Sequence, residues 1–231
     1  MPGPRLAADP MQYEVFRILD HAGVDELVRD LASRQFIDGK ATAGGGARDI
    51  KHNLQTSSDG AEAQSAEKKA LAALTAHADF CAVAMPQRIA QPFFSRYEPG
   101  MYYGPHIDSS FMGGFNGVRT DLALTLFLSP PSSYDGGELV IHRQRGEEPI
   151  KLDAGEAIVY SAGTLHRVAP VTRGVRLAMV TWIQSAIGDA DLRETLLDLG
   201  RIARQAEDEN CSFALALNRS LHNLIRYATR R

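Results

Sequence analysis

The middle of this 231-residue chain, residues 87–185, consists of short β-type runs separated by turn-forming residues, with no helical periodicity. The runs are rich in Val, Ile, Phe, Tyr and Leu, and they cover Ile89–Tyr97, His106–Ser110, Asp121–Ser129, Glu138–His142, Ile150–Leu152, Ala157–Tyr160, His166–Val171 and Arg176–Gln184. Separators such as Glu98-Pro99-Gly100 and Asp135-Gly136-Gly137 favour turns. Many short strands without helices between them are typical of a sandwich, a barrel or a jelly roll, and not of a parallel βαβ sheet.

Helical patterns flank this β segment on both sides. Apolar residues recur at helical spacing in Asp25–Phe36, with Asp25 as the expected cap, and the Ala-, Glu- and Lys-rich stretch Ala61–Phe80 predicts a second helix. The Gly-rich stretch Asp38–Gly46 between them predicts a loop. From Ile187 onward, two apolar stripes predict a helical extension. We therefore expect three parts: an N-terminal helical and loop segment (1–86), a β domain (87–185) and a C-terminal helical extension (186–231).

Composition excludes several classes of protein. Lys and Arg number 25 against 28 Asp and Glu, a net charge of −3, whereas a general nucleic-acid binder is basic. No apolar run approaches the roughly 20 residues that a membrane span needs, and the N-terminus lacks the apolar run of a signal peptide. Cys81 and Cys211 are too few for a disulfide framework. These features predict a cytoplasmic protein with no general nucleic-acid binding and no membrane partner.

Two histidines and one aspartate form a candidate metal site. His106 and Asp108 lie at positions i and i+2 of a predicted strand, so their side chains project from the same face. His166 starts another predicted strand, and distant strands of a jelly roll can face each other across its cavity. Two imidazoles and one carboxylate are the facial triad of non-haem Fe(II) oxygenases. A His-x-Asp pair alone is common and is more often a surface pair than a ligand set.

Arg176 strengthens this interpretation. It follows His166 by ten residues, on the next predicted strand beyond a turn. A guanidinium at that place can hold a carboxylate through two parallel hydrogen bonds. A 2-oxo diacid that chelates iron through its keto group and near carboxylate needs such a partner at its far end.

Three stretches of the chain together resemble the PKHD-type hydroxylases, a prolyl-4-hydroxylase-like group of Fe(II)- and 2-oxoglutarate-dependent dioxygenases. They read RYEPGMYYGPHIDSS, RTDLALTLFLSPPSSYDGGELVI and LDAGEAIVYSAGTLHRVAPVTRGVRLAMVTWIQS, and they span Phe94–Ser185 almost without a gap. The motifs DGKATAG and KHNLQ extend the resemblance to Asp38–Gln55. LHNLIR, at Leu221–Arg226, resembles the helical extension of that family.

The resemblance implies a mostly β fold with flanking helices, built around a double-stranded β-helix or jelly-roll core. It implies Fe(II) at His106, Asp108 and His166, with Arg176 on 2-oxoglutarate. The implied reaction is hydroxylation of an unidentified small-molecule or protein substrate with release of succinate and CO₂. Fe(II), 2-oxoglutarate and O₂ are then required, and L-ascorbate is an optional reductant.

The sequence leaves two interpretations open for several residues and for the function of the protein. Tyr97 and Tyr103 are candidates for hydrogen bonds to the cosubstrate, and Tyr97 is the one we assign to it; structural packing is the alternative for both. Thr125 lies on a strand that either lines the pocket or packs in the core, and His142 is expected to have no metal role. A cupin-like metal-binding or sensor protein is the alternative function. The C-terminal helices also suit a homo-oligomer or an interaction protein.

Overall fold

The computed structural model describes residues 13–41, 45–57, 64–143 and 146–230, and within these ranges it is mostly antiparallel β-structure with five α-helices. The strands are β1 (Tyr13–Arg17), β2 (Phe36–Asp38), β3 (Lys51–His52), β4 (Leu54–Thr56), β5 (Pro86–Ile89), β6 (Phe93–Tyr97), β7 (Tyr102–His106), β8 (Phe111–Met112), β9 (Val118–Arg119), β10 (Leu122–Phe127), β11 (Asp135–Gly136), β12 (Leu139–Arg143), β13 (Gly146–Ile150), β14 (Glu156–Ser161), β15 (His166–Val168), β16 (Val171–Arg173) and β17 (Arg176–Ser185). The helices are α1 (His21–Ala32), α2 (Gln64–Ala76), α3 (Ala78–Ala84), α4 (Ala190–Asp208) and α5 (Ala214–Ala228).

Two antiparallel sheets face each other. The larger has the order β1-β14-β10-β17-β6-β4-β2, with β5 also paired to β17, and the smaller has the order β13-β12-β15-β7-β3. Leu139 and Ile141 of the smaller sheet pack against Phe127 and Ile158 of the larger one in a shared apolar cluster. Neighbours in each sheet are often distant in the sequence, as expected when strands alternate between two sheets. This arrangement is that of a jelly roll, so the predicted fold class is confirmed.

Strand β10 is covered on both faces, and five of its six residues are apolar. Leu122, Leu124 and Leu126 point to the helices α1–α3, where they join one large buried cluster. Ala123 and Phe127 point the other way, into the cluster between the sheets. Because successive side chains of a strand alternate between its faces, a strand covered on both sides needs apolar residues at nearly every position.

The N-terminal segment contains more β-structure than the sequence indicates. The prediction of a helical and loop segment over residues 1–86 is wrong in this respect: β1 pairs with β14, β3 with β7, and β4 with β6. Helix α1 also begins at His21, because the Asp20 side chain, and not Asp25, accepts the capping hydrogen bond from Gly23 N at 2.8 Å. Residues 1–12 lie outside the described ranges, and the domain boundaries stay predictions.

The predicted helix Ala61–Phe80 is two helices. The chain breaks at His77, whose Nδ1 accepts a hydrogen bond from Phe80 N at 3.2 Å and so caps the start of α3. Residues 61–63 of that prediction lie outside the described ranges, as do residues 42–44 of the predicted Gly-rich loop. The described parts of the loop, Gly39–Ala41 and Gly45–Arg48, form short 3₁₀ turns.

Helices α4 and α5 form the predicted C-terminal extension and pack on each other. Leu196 and Ala203 of α4 and Leu221 of α5 are buried in one cluster with Ile187. Other apolar residues of the predicted stripes, among them Ile202 and Leu224, are exposed. The extension therefore buries one side on the chain itself, and its role in a homo-oligomer stays a prediction.

The structure bears on two further expectations. In the part of the chain that it describes, no helix is both long and apolar enough to cross a bilayer. Cys81 and Cys211 are free thiols. No disulfide therefore links the C-terminal extension to the rest of the chain through these residues.

Leu196→Ala is expected to lower the free energy of unfolding by about 2–5 kcal/mol, because a buried leucine leaves a cavity when truncated. Leu215→Ala, on the exposed side of α5, is the matched control and should change it by less than about 0.5 kcal/mol. Urea unfolding of the three proteins measures both effects. A loss for Leu215→Ala as large as that for Leu196→Ala would show that a second chain covers this side.

Candidate metal and cosubstrate site

The proposed ligands converge where two strands of the smaller sheet meet. His106 is the last residue of β7 and His166 the first of β15, and the two are direct cross-strand partners. Asp108 follows β7, and its N–H donates to Ala162 O at 3.2 Å. The ligand atoms of these three side chains all lie within 4.8 Å of one another. The sequence predicted a strand starting at His106; that boundary is wrong, since the chain leaves the sheet there and thereby brings Asp108 toward the histidines.

Backbone carbonyls orient both imidazoles. The Nδ1 atoms of His106 and His166 lie 2.8 Å from the oxygens of Gly104 and Thr164. Each Nδ1 therefore carries the proton, because a carbonyl oxygen can only accept, and each Nε2 is left with its lone pair. Burial and the neighbouring His166 lower the pKa of His106 to about 4, so this ring is neutral at physiological pH. A neutral imidazole with an available Nε2 is the form that binds a metal ion.

The carboxylate of Asp108 is partly buried in the same cavity as Lys51. Burial raises its pKa, against the opposing effects of His166, Trp182 and Lys51. A divalent cation would offset the cost of burying this charge. The donor set of two nitrogens and one carboxylate suits Fe(II), so the residues present fit the metal that the sequence predicts.

Arg176 forms the second part of the site. Its side chain is 1% exposed, and its guanidinium lies 5.3 Å from the ring of Tyr97 and 5.1 Å from that of Phe127. Among the described residues no carboxylate forms an ion pair with Arg176, and its Nε has no hydrogen-bond acceptor. A buried guanidinium whose Nε lacks an acceptor and that has no carboxylate partner among the described residues fits an anionic ligand, since such a charge is costly to bury.

A cavity of about 440 Å³ connects the His-Asp-His cluster and Arg176. Tyr97, Tyr103 and Thr125 all line it. Tyr97 is the cross-strand partner of Arg176, and burial raises its pKa to about 12, so its hydroxyl stays protonated and able to donate. Tyr103 stacks on His106 with ring centroids 3.6 Å apart. His142 lies on β12, 3.5 Å from Glu147, and does not line the cavity.

The sequence interpretation missed part of the cavity wall: Lys51, Asn53, Phe93 and Trp182. Lys51, Asn53 and Gln55 alternate along β3 and β4, and all three are buried. A polar residue at every second position is a strand signal. The signal also needs apolar residues at the positions between, and in KHNLQ His52 is polar as well, so the motif does not predict this buried polar face.

The Gly-rich composition of the segment Ser109–Gly117, which follows Asp108, favours a flexible lid over the cavity. Its described structure is a small hairpin of β8 and β9, with Gly113 and Gly114 at φ +83° and +76° in the turn. Met112, Gly113 and Val118 line the cavity, so the hairpin forms part of its wall. Its movement stays a prediction.

A two-sheet antiparallel fold with a His-Asp-His cluster and a buried arginine in one cavity defines the class of 2-oxoglutarate-dependent iron oxygenases. The family model of the 2OG-Fe(II) oxygenase superfamily matches residues 92–184. The PKHD-type hydroxylase of Maricaulis maris (strain MCS10) is 48% identical over 78% of this chain and 80% of its own. That of Rippkaea orientalis is 41% identical over 90% of this chain and 95% of its own. The chain belongs to the PKHD-type hydroxylases.

Solved structures agree on the fold. The prolyl-4-hydroxylase of Pseudomonas putida superimposes with a TM-score of 0.52 at 21% identity, over 75% of this chain and 92% of its own. A prolyl hydroxylase from Trichoplax adhaerens gives a TM-score of 0.59 at 14% identity, over 78% and 86% of the two chains. The jelly-roll core is therefore shared with 2-oxoglutarate oxygenases. The family membership makes this chain an oxidoreductase that uses Fe(II), 2-oxoglutarate and O₂.

Proposed function

We propose that His106, Asp108 and His166 bind the Fe(II) of this hydroxylase, and that Arg176 and Tyr97 bind the far carboxylate of 2-oxoglutarate. The observation that carries this assignment is the placement of both groups on one cavity wall. The enzyme then adds a hydroxyl group to a small-molecule or protein substrate and converts 2-oxoglutarate to succinate and CO₂. L-Ascorbate is an optional reductant for this reaction.

Each residue has a distinct part in this proposal. Bound Fe(II) supplies the activation of O₂, which is the chemistry of the cofactor and not of the chain. The two imidazoles donate through Nε2, held in place by the carbonyls of Gly104 and Thr164. Arg176 offers paired N–H donors to a carboxylate, and Tyr97 adds a hydroxyl donor beside it. Together they fix the direction in which the cosubstrate extends toward the metal.

Arg176 also favours an enzyme over a cupin-like sensor. A protein that only binds a metal ion has no need of a buried guanidinium beside the metal site. The membership of this chain in the PKHD-type hydroxylases also favours an enzyme. The described structure gives no separate support to an interaction protein built on the C-terminal helices.

Wild-type protein should turn over 2-oxoglutarate slowly without any added substrate, as oxygenases of this kind do. We expect succinate to form when Fe(II), ascorbate and air are present, and a weak visible absorption band when Fe(II) and 2-oxoglutarate are added without oxygen. Absence of both signals, in protein that binds iron, would favour the sensor. If succinate does form, a mass-spectrometric search for products 16 mass units heavier would identify the substrate.

We further propose a cytoplasmic location. The two free thiols, Cys81 and Cys211, suit a reducing compartment. The net charge of −3 argues against general nucleic-acid binding.

A further inference from the structure

Lys51 places a positive charge inside the cavity. It lies on β3 beside β7, with Tyr103 as its cross-strand partner, and is 5% exposed. Its Nζ lies 5.5 Å from the ring of Phe93 and 5.4 Å from that of Tyr103, and it donates a hydrogen bond to Gln55 Oε1 at 3.1 Å. Burial lowers its pKa to about 8, which leaves the group mostly charged at neutral pH. A buried ammonium of this kind is costly and calls for a functional explanation.

Lys51 and Arg176 occupy different parts of the wall. Arg176 lies against Tyr97 and Phe127, whereas Lys51 lies against Phe93 and Tyr103. The Nζ of Lys51 lies over the ring of Tyr103, which stacks on His106 of the metal site with ring centroids 3.6 Å apart. The carboxylates of Asp108 and Asp38 both raise the pKa of Lys51, against the effect of burial. Asp38 is exposed at the end of β2, and Asp108 is the carboxylate of the metal site. Lys51 therefore belongs to the metal end of the cavity.

With Fe(II) and 2-oxoglutarate bound as proposed, the positive and negative charges of the metal and cosubstrate site are equal in number before Lys51 is counted. Two positive charges of Fe(II) and one of Arg176 face the carboxylate of Asp108 and the two carboxylates of 2-oxoglutarate. Lys51 adds a positive charge to this end of the cavity. A ligand with one negative charge is attracted by that addition, whereas a cationic ligand is repelled.

The cavity wall around Lys51 is mostly apolar, so it favours a ligand with an apolar body next to its charged group. Phe93, Met112, Val118, Val180 and Trp182 line the same cavity. Phe93 and Trp182 lie together, with ring centroids 5.8 Å apart. Apolar walls with a few charged groups are typical of small-molecule sites, where the charge sets the orientation.

We propose that Lys51 binds a carboxylate of the substrate, and that the substrate is an organic acid with an apolar body. This inference rests on the proposed function and adds a substrate class to it. The ammonium holds the acid at one end while the apolar walls direct its carbon chain toward the metal.

Trp182 gives a direct measure of binding, because it is the only tryptophan of the chain and it lines the cavity. Protein loaded with Zn(II) and 2-oxoglutarate is titrated with octanoate and octanamide, and with hydrocinnamate and hydrocinnamamide, while tryptophan emission is followed. We expect each acid to bind at least tenfold more tightly than its amide. Lys51→Met should weaken binding of the acids by about 30-fold or more and leave the amides unchanged.

Matched variants separate the alternatives. Lys68→Met, on the exposed face of α2, should keep the preference for acids. Lys51→Gln, which retains a polar group, guards against a folding defect in Lys51→Met, and thermal unfolding is measured for both. If no acid binds more tightly than its amide, or if the preference survives in Lys51→Met, the proposal is wrong. Weaker binding of 2-oxoglutarate with an unchanged preference would assign Lys51 to the cosubstrate and also overturn it.

Failure of the proposed function gives a different result. In that case wild-type protein with Fe(II) forms no succinate from 2-oxoglutarate in air. Succinate formation together with equal binding of acids and amides would contradict the inference about Lys51 alone.

Discussion

Asp108→Ala is expected to weaken Fe(II) binding by more than about 100-fold, since loss of a supporting group outside the ligand set alone costs 10–100-fold. The variant removes the only charged ligand and leaves two neutral imidazoles. Succinate formation should fall with the metal content. Calorimetric titration with Fe(II) under nitrogen and metal analysis of the purified protein give the affinity and the occupancy. His106→Ala and His166→Ala should behave alike.

Loss of metal in Asp108→Ala should not reflect unfolding. Burial raises the pKa of Asp108 in the folded protein, so its ionised form opposes folding of the metal-free protein at neutral pH. Removal of the carboxylate should therefore raise the unfolding temperature of the metal-free protein. The effect should be seen at pH values above the pKa of Asp108, where the carboxylate of the wild type is ionised. Asp198→Ala and His142→Ala are the controls, both outside the cavity, and should bind iron as wild type does. Wild-type iron affinity in all three ligand variants would refute the assignment.

Arg176→Ala is expected to raise the 2-oxoglutarate concentration needed for half-maximal succinate formation by about 30-fold to several thousand-fold. The range follows from the 2–5 kcal/mol or more that is lost when one partner of a buried charge pair is removed, at about 1.4 kcal/mol per tenfold. Fe(II) affinity without cosubstrate should hardly change, because a guanidinium is not a metal ligand. The measurement is succinate formation against 2-oxoglutarate concentration.

Arg176→Lys should fall between wild type and Arg176→Ala. It keeps the positive charge but loses the planar fork that matches a carboxylate. Arg173→Ala is the matched control, since this arginine is exposed and pairs with Asp135 at the surface. An unchanged 2-oxoglutarate requirement in Arg176→Ala would mean that this residue is structural and that another group holds the cosubstrate.

The β core and the metal cluster were predictable because their signals are local or regular. Strands such as β10 are long enough to show an apolar pattern, and His106 and Asp108 are so close in the sequence that they stay together even though the strand ends at His106. The N-terminal strands β2, β3 and β4 contain two or three residues each. Strands β3 and β4 depend on pairing with β7 and β6, some 40 to 50 residues further along, and β2 depends on pairing with β4, so no short window contains that information.

The break at His77 and the burial of Lys51 were missed for different reasons. Histidine is not among the usual N-cap residues, and the Ala-rich sequence continues across it, so composition favours one helix. A lysine in an alternating strand is normally placed on the solvent side. Only the cavity between the sheets, which local sequence does not define, turns that face inward.

The orientation of both histidines by main-chain carbonyls, Gly104 O and Thr164 O, has a consequence for redesign of this enzyme. Those acceptors survive any exchange of neighbouring side chains: Gly104 lies within β7 of the smaller sheet, and Thr164 lies in the turn that leads into β15. Lys51, in contrast, lies on β3, which is the outermost strand of that sheet. If both proposals hold, the metal ligands and the substrate-binding lysine belong to separate parts of one scaffold. Libraries restricted to β3, β4 and the β8–β9 hairpin should alter which molecules are accepted while the iron centre is retained.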